Sequence, residues 1–355
     1  MDEISLLNRV RADVPERHPD DVIRGRAALL RATEVPPAPA RHPRQRWIWV
    51  GSTVAATCAL TGVFVFGGAL GAPGGADPAA AAVLSSAASA ARSVVDPVVG
   101  PGQYLEVRTD ALYAAMGTTE ADAEAARREN DGNVRDGDVT TFLERDLRAL
   151  WVPADRSADW IEVRCARQPV RTFGPRSETF AAETGGLERD ARQVFPGGET
   201  ESGYSIVTLD ADTAAALPRD PRQLLEKIYQ DNGTAGPSRD GEALVWIADR
   251  LRSGTVSAEL RSVFYDTAAL IPGVTITEQQ ATLNGRTGTA IGRDETASGF
   301  RQDIIIDPET GAFIGERQVL LHPVADMPAG TATGSTSVTT TVVDAAPEGT
   351  KLCAG

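Results

Sequence analysis

The chain has 355 residues, long enough for a sizeable core and for two or three structural units. Its 42% hydrophobic and 24% charged content is that of a folded protein, and a net charge of −14 argues against direct nucleic-acid binding as its main role. Three cysteines and three histidines exclude a disulfide scaffold and leave little material for a metal centre.

Residues 1–46 read as two short helices and a spacer. Ile4, Leu7, Val10 and Val14 recur at helical spacing until Pro15 stops the run. After Asp20 a second helix is predicted, with Val22, Ile23, Ala27 and Leu30 as its apolar stripe. Val35-Pro36-Pro37-Ala38-Pro39-Ala40 then reads as an extended spacer. Helices this short cannot bury enough surface to be stable alone. They are either a docking element that folds onto a partner or a tail that only fixes topology. As a docking element, Leu6, Leu7, Val10, Ile23 and Leu30 supply apolar contacts, with Arg24 and Arg31 on the rim. His18 and His42 have no cysteine beside them on this side, so no His/Cys zinc site is expected.

No charged residue stands between Trp47 and Ala76. Trp47 to Leu70 exceeds the ~20 residues that a helix needs to cross a bilayer. Trp47 and Trp49 open the segment, Arg41, Arg44 and Arg46 precede it, and the first charge after it is Asp77. That pattern predicts one transmembrane helix with a cytoplasmic N-terminus, a short linker over 71–78 and an extracytoplasmic domain over 79–355. A cleaved signal peptide, with Ala69-Leu70-Gly71 as its cleavage site, is the competing reading. It fits less well, because the apolar run is long and lies far from the start. Residues 1–46 carry nine arginines against seven acidic residues, so the net charge of the remainder is −16.

Asp77-Pro78 predicts a helix start, with Leu84, Ala87, Ala88, Ala91 and Val95 on one face, Pro97 as its end, and an alanine face able to pack across a sheet. Leu105 and Val107 alternate with polar neighbours as in a half-buried strand. Residues 117–138 are nearly free of apolar side chains and read as a mobile insertion. Thr141 to Val152 fits a strand or a helix. Strand is preferred, because it can form a hairpin with the alternating Trp160 to Cys165. Residues 171–203 are assigned no regular structure beyond a short helix. Helices are predicted from Asp220-Pro221, over about 241–253, and from the cap Ser257 to Pro272-Gly273. Strands follow at 274–277, 286–291, 300–306, 313–321 and 335–343, with a turn at Asp307-Pro308-Glu309-Thr310-Gly311. The fold class is α+β, an antiparallel sheet with a helical insertion.

Catalytic signals are weak. The outer region holds one histidine, His322, with no serine nucleophile on a glycine elbow nearby. No phosphate-binding, dinucleotide-binding or HExxH motif stands in its required context. A non-enzymatic protein with no metal and no cofactor is expected. Cys165 and Cys353 both lie outside, where an oxidising compartment allows them to pair and tie the C-terminal tail to a strand. The alternative is two free thiols. Asn232-Gly233-Thr234 matches a glycosylation acceptor.

The opening Met1-Asp2-Glu3-Ile4-Ser5-Leu6-Leu7, the Arg24–Arg31 helix, the arginine flank and the single span carry a resemblance. So do Pro101-Gly102-Gln103-Tyr104, the segment 260–274, Gly285-Arg286-Thr287-Gly288 and the segment 307–316. Together they resemble a set of actinobacterial single-pass membrane proteins often encoded beside extracytoplasmic-function sigma factors. The resemblance implies an anti-sigma-like regulator whose cytoplasmic helices hold a sigma factor or another regulator while the outer domain senses an envelope signal. The alternative is a membrane-anchored envelope ligand-binding module, a concave sheet resembling the LolA/RseB-like lipid- or lipoprotein-binding fold. A large apolar concavity, within the roughly 300–1,000 Å³ of ligand pockets, favours that alternative.

Overall fold

A computed structural model of the chain describes residues 74–129, 136–202, 205–207, 209–233 and 236–354. The expected span at 47–70, the N-terminal helices and the spacer lie outside the described residues. Among the described residues no helix is long and apolar enough to cross a membrane.

Asp77 caps the first helix, α1 (Pro78–Arg92), by accepting the Ala79 N–H at 2.9 Å, and proline opens the first turn at no hydrogen-bonding cost. The predicted face is buried through Ala80, Leu84, Ala87, Ala88 and Ala91. Two expectations about it need correction. The helix ends at Arg92 rather than Pro97, and Val95 is 86% exposed. The chain leaves the helix here so that the Asp96 carboxylate can accept the Ala258 N–H, at 2.9 and 3.0 Å. The alanine face also packs mainly on another helix, Ala258–Ala268, rather than across the sheet. The described part of the expected linker is likewise bound to the fold. Ala76 N–H donates to Ala269 O and Asp77 N–H to Val274 O.

Strand β1 (Tyr104–Gly117) is longer than expected. The insertion predicted to be mobile contains α2 (Glu120–Glu129). Charge pattern and capping form this helix without an apolar stripe. Thr119 Oγ1 accepts the Asp122 N–H at 3.2 Å and donates to the Asp122 carboxylate at 2.8 Å. Acidic residues fill its first turn and Arg127 and Arg128 its last, which suits the helix dipole. Arg176, from a later helix, anchors it by two bonds to Asp122, at 3.2 and 3.1 Å.

The ambiguous segment is strand β2 (Thr140–Pro153), and it forms the expected hairpin with β3 (Asp159–Arg164). The region expected to be irregular holds the short helix α3 (Pro175–Thr184), just after strand β4 (Gln168–Arg171). It also holds β5 (Ala191–Pro196), a strand given no signal by its polar, exposed sequence and made by backbone pairing along β3. An unpredicted short helix, α4 (Ala211–Ala216), precedes the three expected ones: α5 (Pro221–Asn232), α6 (Arg239–Leu251) and α7 (Ala258–Ala268). The chain ends in a meander of β6 (Thr275–Leu283), β7 (Arg286–Glu295), β8 (Phe300–Ile306), β9 (Phe313–Leu320) and β10 (Ala332–Val343).

All these strands form one antiparallel sheet in the order β5-β3-β2-β1-β10-β9-β8-β7-β6, with β4 beside β2. The last strand closes on the first, Tyr104 opposite Val343 and Tyr113 opposite Gly334. Side chains alternate between faces, so Ile304 and Ile306 point one way and Ile305 the other. Helices α1, α5, α6 and α7 bury their stripes on Ile291, Ile304 and Ile306, making the main core. Toward β1, β2 and β3 these helices no longer cover the same face, where Leu105, Val107, Val152, Trp160 and Val338 form a smaller cluster. The opposite face is covered at that end by the C-terminal tail, with Ala346, Leu352 and Cys353 against Ala149, Trp151, Ile161 and Val163. Cys165 and Cys353 are joined as a disulfide with Cα atoms 5.3 Å apart.

Candidate ligand-binding cleft

The helix layer and the uncovered end of the sheet enclose a cleft of about 740 Å³. Three walls build it. The first is the β2–β3 turn and the end of β5. Asp155 accepts the Ser157 N–H at 3.0 Å and its hydroxyl at 2.7 Å, which tightens the turn. Trp160 Nε1–H then donates to Arg156 O at 3.0 Å, holding the indole inward at 6% exposure. Gly198 lies against this ring at φ +76°, where an added Cβ would stand 2.7 Å from the indole. Only glycine satisfies both the backbone and the close approach. Gly198→Val is therefore expected to cost about 2 kcal/mol and displace Trp160. Urea unfolding measures the loss, and a shifted tryptophan emission reports the displacement.

The second wall is α4. Asp210 caps it, accepting the Thr213 N–H and hydroxyl, both at 2.8 Å, and these two bonds hold the Asp210 carboxyl below the ordinary carboxylate range. Val207 and Leu209 lead into this helix, and Ala214 and Ala215 face the cleft. Arg219 braces it from below, donating to Leu217 O at 2.8 Å and Ala214 O at 3.1 Å and pairing with Glu259 at 3.5 Å. The third wall is the segment 255–257 and the start of α7. Ser257 Oγ accepts the Leu260 N–H at 3.2 Å and Leu260 closes the floor.

The lining is thus apolar inside, with charges at the margin. Arg156 lies 5.5 Å from the Trp160 ring centre. Surrounding protein desolvates its guanidinium and pulls its pKa below the usual arginine range. No carboxylate among the described residues pairs with Arg156. Glu199, Asp210 and Asp212 supply negative charge at the margin and Arg219 a second positive one, so both signs are present there.

The docking residues predicted in the N-terminal helices (Leu6, Leu7, Val10, Ile23, Arg24, Leu30 and Arg31) lie outside the described residues. His322 is exposed after β9, remote in sequence from every wall of the cleft. Among the described residues no group of three or more His, Cys, Asp or Glu is placed to hold a metal ion. Asn232, of the glycosylation-like triplet, donates its side-chain N–H to Glu242 O at 3.3 Å. Sequence reasoning did not identify the cleft, because its residues come from four separate segments. The only local signals were Gly197-Gly198 after a strand and Asp210 before an alanine run. Comparison with family models, curated proteins and solved structures finds no match to this chain.

Proposed function

We propose that this protein is a single-pass membrane protein of the cell envelope whose extracytoplasmic domain binds a ligand in the cleft. The supporting observation is the cleft itself: its volume of about 740 Å³ falls within the range of small-molecule sites, and Trp160, Leu209 and Leu260 give it an apolar interior with charges at the margin. A ligand with an apolar body and a polar end suits that lining, as in the lipid- or lipoprotein-binding alternative. The membrane anchor rests on the uncharged run from Trp47 with its arginine flank.

The test is recovery of the ligand. The full-length chain, purified from host membranes in a mild neutral detergent, is extracted and analysed by mass spectrometry beside Ala215→Trp, which fills the cleft from an exposed helix position. A small molecule recovered with the wild type at near-equimolar amount and reduced at least tenfold in the variant is expected. Equal recovery from both chains, or none from either, overturns the reading.

A second reading is favoured by the apolar stripes of residues 1–35. There the ligand-binding domain is the sensor of an anti-sigma-like regulator, and the N-terminal helices dock a sigma factor or another cytoplasmic regulator. Affinity capture with the full-length chain, beside Leu7→Asp with Leu30→Asp, separates the two. A sigma factor or regulator retained only by the wild type supports the regulator. No difference leaves the binding module without a docking function.

A further inference from the structure

A second pocket, of about 280 Å³, lies beyond the segment 251–257 from the cleft and shares only Val256 with it. Leu251, Val256, Phe313 and Val338 give it an apolar floor, and two arginines from different elements line it, Arg261 of α7 and Arg286 at the start of β7. Most half-buried arginines of the fold are neutralised: Arg167, Arg252, Arg293, Arg301 and Arg317 each hold at least one carboxylate. These two are held by carbonyl oxygens instead. Arg261 Nε–H donates to Gly311 O at 3.0 Å and Nη1–H to Val256 O at 3.4 Å, while Arg286 Nη1–H donates to Val338 O at 3.0 Å.

Carbonyl contacts fix the position of a guanidinium without cancelling its charge. Neither arginine has an ion-pair partner among the described residues. Asp307 is within electrostatic reach of Arg286, but its oxygens accept the Glu309 N–H at 2.9 Å and the Thr310 hydroxyl at 2.6 Å. Thr340, on the same face of β10 as Val338, adds a hydroxyl to the lining. In a chain of net charge −14, two arginines without an ion-pair partner at one pocket wall are a defined site of opposite sign. Guanidinium forks match tetrahedral oxyanions in both geometry and charge.

We propose that Arg261 and Arg286 bind a phosphoryl group, with the Thr340 hydroxyl as a further donor and the apolar floor taking the atoms next to it. The phosphoryl group comes either from free phosphate or from a phospholipid headgroup. The site is separate from the cleft, and the proposal stands whether or not the cleft is occupied.

The test is calorimetric titration of the full-length chain in neutral detergent with inorganic phosphate and, separately, with dihexanoyl phosphatidic acid. Four chains are compared: the wild type, Arg286→Gln, Thr340→Glu and Arg108→Gln. Thr340→Glu leaves both arginines in place and offers them a carboxylate from an exposed position, so it keeps the test informative if Arg286→Gln loosens the fold. Arg108→Gln removes one exposed positive charge from β1, on the face of the sheet turned away from the pocket. Saturable binding that weakens at least tenfold in Arg286→Gln and Thr340→Glu but not in Arg108→Gln is the expected result. Binding of both probes assigns the site to phosphate generally, and binding of the phosphatidic acid alone assigns it to a lipid headgroup. No binding of either probe, or equal binding by all four chains, overturns the proposal. Failure here leaves the Ala215→Trp comparison unaffected, because that variant reports on the other cavity.

Discussion

Replacing Cys353 with serine is expected to lower the stability of the outer domain by about 2–4 kcal/mol, a fall in Tm of roughly 5–10 °C. The Cys165–Cys353 bridge spans 188 residues of sequence, so breaking it releases a long closed loop in the unfolded chain. It also releases a cover in the folded one. The tail lays Ala346, Leu352 and Cys353 over Ala149, Trp151, Ile161 and Val163, with polar ties from Arg192 Nε–H to Pro347 O at 3.0 Å and from Gln103 Nε2–H to Asp344 Oδ1 at 2.9 Å. Scanning calorimetry of Cys353→Ser, Cys165→Ser and the double variant checks the effect. The three are expected to agree within about 0.5 kcal/mol, because one bond is lost in each. Hydrogen exchange should accelerate over residues 344–354 alone. Identical melting of wild type and variants would show that the bridge adds nothing to the packed tail.

The parts of the fold legible in the sequence are those with a local cause. Asp77-Pro78, Asp220-Pro221 and Ser257 each announced a helix, because a cap acts through bonds to N–H groups two or three residues away. The turn at 307–311 and its flanking strands were equally local. Structure made by distant partners was hidden. Strand β5 exists because β3 offers it a row of backbone groups, and its own sequence alternates little. Helix α2 is held by charge and by Arg176, from a helix some fifty residues further on, so its lack of apolar residues misled. The direction of the alanine face of α1 could not be read, since closeness suits a helix neighbour as well as a sheet. The closure of β1 on β10 joins two sequence blocks into one sheet and creates the uncovered end where the cleft lies. Single residues therefore announced the elements, while the cleft emerged from topology.

The largest loss is expected at Asp303, on the face of β8 turned away from the helices. Its side chain is fully buried and accepts bonds from Arg317 Nε at 2.8 Å, Arg301 Nε at 3.0 Å and Thr277 Oγ1 at 2.9 Å. Gly292 stands opposite on β7, and a Cβ there would collide with the carboxylate, so the strand makes room by omitting a side chain. Arg317 is further tied to Glu278 at 2.8 Å, whereas Arg301 is held by Asp303 at 3.0 Å. Asp303→Ala removes the charge that holds two guanidinium groups against the sheet and leaves them half-buried with poor solvation. A loss of about 3–5 kcal/mol is expected, the cost of breaking a buried pair from one side. Asp303→Asn keeps an acceptor but no charge and should fall between that variant and the wild type. Urea unfolding at neutral pH reads the effect as a lower midpoint with unchanged slope. Adding Arg301→Gln to Asp303→Ala should recover part of the loss, because it removes a guanidinium left without its counter-charge. An additive double variant would mean that Asp303 acts by packing and not through its charge.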